Sequence, residues 1–158
     1  PKDDFYNRIN NLKQSLPEKS EAEVLVALMR LTHSISDGHT SFPLWGRELN
    51  SFPFSVKIFN GDAYIARTTI QYKSLLGAKL ISINHVLSET IMESMREITP
   101  FTENQYSSAV RVAEYMTKAE VLKGLGFLPK IETTPVEFEI SGKRKVLQLE
   151  PAKNLKID

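Results

Sequence analysis

The stretch FPFSVKIFNGDAYIART, residues 52–68, constrains the fold more than any other part of the chain. Phe54, Val56 and Ile58 alternate with Ser55 and Lys57, the two-residue period of a strand that buries one face. Asn60-Gly61 then supplies the two positions that tolerate positive φ in a tight hairpin, and Tyr64 to Arg67 supply the return strand. A hairpin with one apolar face must be covered, and helical patterns flank it on both sides.

On the N-terminal side, Phe5, Ile9, Leu12 and Leu16 recur at helical spacing over Asp3 to Leu16, and Pro17 follows. Ser20 with Glu23 three residues on is a capping box, which satisfies two otherwise orphan backbone N–H groups. The helix behind it carries Ala22, Leu25, Leu28, Met29, Leu31 and Ile35 over a wide arc, the mark of a buried helix. Asp37-Gly38 is expected to stop it, because Gly accepts the left-handed conformation at a helix end, with Thr40 to Phe42 extended beyond.

After the hairpin, Lys79 to Ile83 reads as a third strand. A helix capped by Ser88 follows, with Ile91, Met92, Met95 and Ile98 on its apolar side and Pro100 closing it. Thr102 to Gln105 reads as a second capping box, opening a helix with Tyr106, Ala109, Val110, Ala113 and Met116 turned inward. A short helix over Ala119 to Leu125 stops at Gly126, and Val136 to Ile140 and Val146 to Leu149 alternate around Ser141-Gly142 as a second hairpin. The order predicts an α+β fold with mostly antiparallel strands and inserted helices. Residues 1–42 form an N-terminal helical segment and 43–158 a β-rich module, divided by the aperiodic, Pro-containing FPLWGRELNSFP.

Composition removes several function classes. Twenty Lys and Arg against 19 Asp and Glu leave a net charge of +1, with no electrostatic footprint for nucleic acid. The densest basic group, GKRK at 142–145, reads as a solvated turn. No apolar run approaches the roughly 20 residues that span a bilayer. The absence of Cys excludes disulfides and thiolate metal sites. The chain opens on Pro1 without a leader-like stretch, which reads as a trimmed or mature fragment.

Three histidines are the natural candidates for chemistry. His33 reads as a packed or hydrogen-bonded helix residue and His85 as a turn residue, and no HExxH spacing supports a metal. Nor is there a G-x-S-x-G elbow, an S-x-x-K at a helix start or a phosphate-cradling glycine loop. Trp45 reads as a plug over the core rather than a ligand platform. His39 stands at the joint between helix and sheet, after a glycine that lets backbone approach closely. There it could act as a general base, histidine's unperturbed pKa of about 6.5 lying near working pH, or simply bond the frayed helix end.

Three pieces in order raise the stakes for His39. L-x-x-x-I-x-D-G-H-T closes a helix at Leu31 to Thr40, the hairpin of residues 52–68 follows, and LLGAKLISIN-x-V at 75–86 leads into another helix. The arrangement resembles the tail-specific, C-terminal-processing and tricorn-type serine peptidases over residues 22–150. There an Asp-Pro/Gly-His-Thr tetrad ends the helical region and a PDZ-like peptide-binding module follows. The family's Gly-Asp reads Gly77-Ala78 here, and the Gly after Ile83-Asn84 is His85, so a reshaped turn is expected at that point. No segment matches the family's α/β core, which holds the nucleophilic serine.

The resemblance implies an N-terminal fragment that positions peptide or unfolded protein for a missing C-terminal catalytic core, with no cofactor. It favours a periplasmic or secreted location. In the tricorn branch His39 would be the base for a serine supplied by the missing core; in the Lys-base branch His39 and Thr40 would be structural. Peptide would add as a strand to a sheet edge, its carboxylate on backbone N–H groups, with Leu75, Leu76, Ile91 and Met95 lining the site. The alternative is a non-catalytic scaffold that keeps this architecture and binds peptide or a small apolar ligand.

Overall fold

Every strand pairing among the described residues is antiparallel, and two-residue turns join three of the five pairs. The computed structural model describes residues 2–102 and 104–157. Two helices come first, α1 (Lys2–Ser15) and α2 (Glu21–His33). Strands β1 (Phe54–Phe59), β2 (Asp62–Thr68), β3 (Lys79–Ile83) and β4 (Val86–Leu87) follow. Helices α3 (Ser88–Arg96), α4 (Gln105–Tyr115) and α5 (Ala119–Gly124) come before the closing strands β5 (Thr134–Ile140) and β6 (Lys143–Leu149). The result is an α+β fold: N-terminal helices, then a six-stranded antiparallel sheet with inserted helices.

The sheet runs β1-β2-β3-β5-β6, with β4 also paired to β3. Lys79 pairs with both Tyr64 and Glu139, whereas Ser82 pairs with Leu87 and Glu137. Strand β4 thus takes over on the side of β3 where β2 leaves off, and β1 and β6 form the two edges. Asn60-Gly61 and Ser141-Gly142 both take positive φ, as the hairpins require. Asn84-His85 does too, at +49° and +65°. The turn is therefore kept rather than reshaped, with Asn84 tied by its Nδ2 to Phe127 O at 2.9 Å.

Phe54 anchors the core, stacked on Phe52 at 6.0 Å and edge-on to Phe138 at 5.7 Å. Leu25, Val26 and Met29 of α2 join the same buried cluster as the sheet's inner face and α3 to α5. Gly124 explains how α2 and α5 come together: a Cβ there would collide with Ala22 O and Val26 Cγ2, so backbone meets backbone.

Four expectations are corrected. Helix α2 ends at His33, not at Asp37-Gly38, because Thr32 and Ser34 hydroxyls donate to Leu28, Met29 and Leu31 carbonyls and Ser36 takes the left-handed φ of +57°. Ser88 is the first residue of α3 and buried, with Leu87 at the cap, and Asn104 rather than Thr102 caps α4, accepting from Ser107 N at 2.9 Å; Glu103, within the expected box, lies outside the described residues. Trp45 plugs nothing, being 84% exposed. The Ser20–Glu23 capping box forms as read.

Candidate functional site

Asp37 to Thr40 build a turn from their own side chains. The Asp37 carboxylate accepts from Thr40 Oγ1 at 2.7 Å and from His39 N at 3.2 Å. These two bonds, the Thr40 hydroxyl first, hold its carboxyl below the usual Asp range. The His39 ring stands fully exposed, its Nδ1 3.7 Å from Asp37 Oδ1. Behind the turn, His33 Nδ1–H donates to Thr99 O at 2.6 Å, and Gly38 packs closely on Phe101 O, which a Cβ at that position would approach to 3.2 Å. His39 is therefore presented outward from a braced loop.

The four residues expected to line a peptide site do not come together as a surface. Leu75, Ile91 and Met95 have no exposure and belong to the core. Their apolar spacing is a core signal, so a peptide could reach them only by displacing packing. Leu76 alone offers surface, at 47% exposure.

A groove of about 520 Å³ opens elsewhere, between β1 and α4. Phe52 N–H donates to Thr117 O at 3.0 Å, fastening the start of β1 to the end of α4. From that joint, strand and helix run side by side in opposite directions. Residues 54–58 of β1 line one side; Tyr106, Ala109, Val110 and Ala113 line the other. Tyr106 and Val110 were read as facing inward, yet they are 77% and 68% exposed, while Val112, Ala113 and Tyr115 carry the buried side.

Strand β1 is an edge of the sheet, so its outer backbone groups lack a strand partner among the described residues. Lys57, Lys118 and Glu114 put charges of both signs on the groove's lining, with Lys118 Nζ donating to the neutral Ser51 Oγ at 2.9 Å. The signal in the sequence was the pair of i, i+4 stripes on α4, too wide together for one buried face. Among the described residues no cluster of His, Asp and Glu could hold a metal, and no helix is long and apolar enough to cross a membrane.

The fold is similar to a solved architecture. No protein-family model matches the chain, and no curated protein matches its sequence. By structure it is similar to CPAF, in a crystal structure of a serine-to-alanine mutant, with a TM-score of 0.62 and 12% identity. The similarity covers 93% of this chain and 28% of that one, so the chain spans little more than a quarter of CPAF's length.

Proposed function

We propose that residues 43–158 position an extended peptide by adding it as a strand along β1, and that residues 1–42 present His39 to a separate catalytic core. In this reading the chain is the N-terminal part of a serine endopeptidase of the tail-specific and tricorn type. The nucleophilic serine would come from a core outside these 158 residues. The observation that carries the reading is the β1/α4 groove, an unpaired strand edge beside an apolar helix face. Main-chain bonds to the edge would supply affinity, and side chains on Tyr106 and Val110 would supply choice. The fold similarity to CPAF, a serine protease, supports a protease-related fold.

The test is fluorescence anisotropy with a labelled, end-blocked peptide of alternating valine and serine. Saturable binding is expected, weakened about tenfold or more by Val110→Glu without loss of folding. Folded wild-type protein that shows no saturable binding would overturn the reading.

A non-catalytic scaffold is the second reading, and one observation favours it: the His39 ring is fully exposed and, among the described residues, makes no hydrogen bond, with Asp37 Oδ1 3.7 Å from its Nδ1. Joining the chain to its catalytic core and assaying peptide hydrolysis separates the two. Hydrolysis supports the peptidase, and tight binding without turnover supports the scaffold.

A further inference from the structure

Part of the lining of the groove along β1 comes from the far end of the sequence. After β6 the chain returns to β1, where Ser51 and Ala152 exchange backbone hydrogen bonds of 2.9 and 3.0 Å. Asn154 then turns the backbone through a left-handed φ of +55°. This brings Ile157 into the lining of the groove beside Ser51 and Lys118.

Those same three residues also line a second cavity of about 440 Å³, which Arg47, Glu48 and Leu155 help to enclose. Ile157 is therefore a partition between two hollows. One side-chain bond holds it in place: Arg67 Nη2 donates to Ile157 O at 2.6 Å. Arg67 is an exposed residue of β2 paired across the ladder with Ser55 of β1, so its guanidinium reaches over the edge strand to catch the returning chain. A charge-assisted bond is stronger than a neutral one, yet a single exposed bond opens at low cost.

We propose that Ile157, tethered by Arg67, is the end wall of the groove and sets the length of the segment that can lie along β1. The proposal rests on the peptide reading above. With the wall in place, a peptide strand ends at Ser51 and Lys118; with it released, the groove runs on into the second cavity. Arg67 is a positioning residue, acting through Ile157.

The experiment compares wild type, Arg67→Met and Ile157→Ala, the first variant keeping the aliphatic stem while removing the donor. The probes are end-blocked valine-serine peptides lengthened two residues at a time. Wild-type affinity should rise with length and then level off. Both variants should keep gaining beyond the wild-type plateau, reaching about tenfold tighter binding for the longest.

An unchanged plateau in both variants overturns the end wall while leaving the groove standing. Should no peptide bind wild type, the groove reading fails, and hydrogen exchange decides the wall alone. Faster exchange over residues 154–157 in Arg67→Met, with β1 protection unchanged, upholds the tether; unchanged exchange overturns it.

Discussion

Gly124 of α5 lies directly against the main chain of Ala22 in α2, closer than any side chain would permit. This contact fixes how the N-terminal helices seat on the rest of the protein. Helix propensity alone says that Gly124→Ala should stabilise α5 by up to about 1 kcal/mol. The overlap with backbone, which cannot rotate away, should reverse that sign. The expected outcome is a loss of about 1–3 kcal/mol in urea unfolding, the range for overpacked sites. A gain in stability would show that α2 does not pack on α5 in this way.

The core residues give a second prediction, which separates packing from binding. Ile91→Ala and Met95→Ala should each cost about 2–5 kcal/mol, since both side chains are wholly buried. Leu76→Ala, at a half-exposed position, should change stability by no more than about 0.5 kcal/mol. Peptide affinity per folded molecule should be unchanged in the Ile91 and Met95 variants. A specific loss of affinity in either, with folding intact, would restore those side chains to a binding role.

How much of this was legible depends on how local each cause is. The hairpin at Asn60-Gly61, the Ser141-Gly142 turn and the Ser20–Glu23 box are each specified by residues within four positions of one another, and each forms. The end of α2 was misplaced because Gly38 is an obvious breaker, while the hydroxyls that compete with the helix sit at Thr32 and Ser34. The groove was hidden for a different reason. Whether β1 is an edge depends on strand order across the whole chain, and no property of residues 54–59 reveals it. Tyr106 and Val110 are apolar in the same way as Met116, and only the packed structure separates the wet face of α4 from the dry one.

A third prediction concerns acid. The Glu23 carboxyl is held below its ordinary value of 4.5, first by the Ser20 hydroxyl and then by the Ser20 amide. A carboxylate with a depressed folded pKa contributes stability that is fully present above the unfolded pKa and is lost as pH falls through the folded one. The capping box should therefore support α2 at neutral pH and weaken below about pH 4.5. Wild type should be more stable than Glu23→Gln at pH 7, and the gap should narrow steadily on acidification. A gap that stays constant between pH 7 and about pH 3 would mean that the charge on Glu23 is not what the cap uses.

The last prediction concerns His39. Its ring is fully exposed, with the Asp37 carboxylate 3.7 Å away, so folding gains little from it. His39→Ala should leave the stability of the 158-residue chain within about 0.5 kcal/mol of wild type, as for other exposed substitutions. Asp37→Ala should cost more than that, because it removes the acceptor for both Thr40 Oγ1 and His39 N. In the protein joined to its catalytic core the order should reverse if His39 is the base. His39→Ala would then lower the hydrolytic rate by about 10²-fold or more, while Asp37→Ala, which only loosens the turn, would lower it less. A rate per folded molecule unaffected by His39→Ala would make His39 a surface residue of the joint and assign proton transfer to a group in the core.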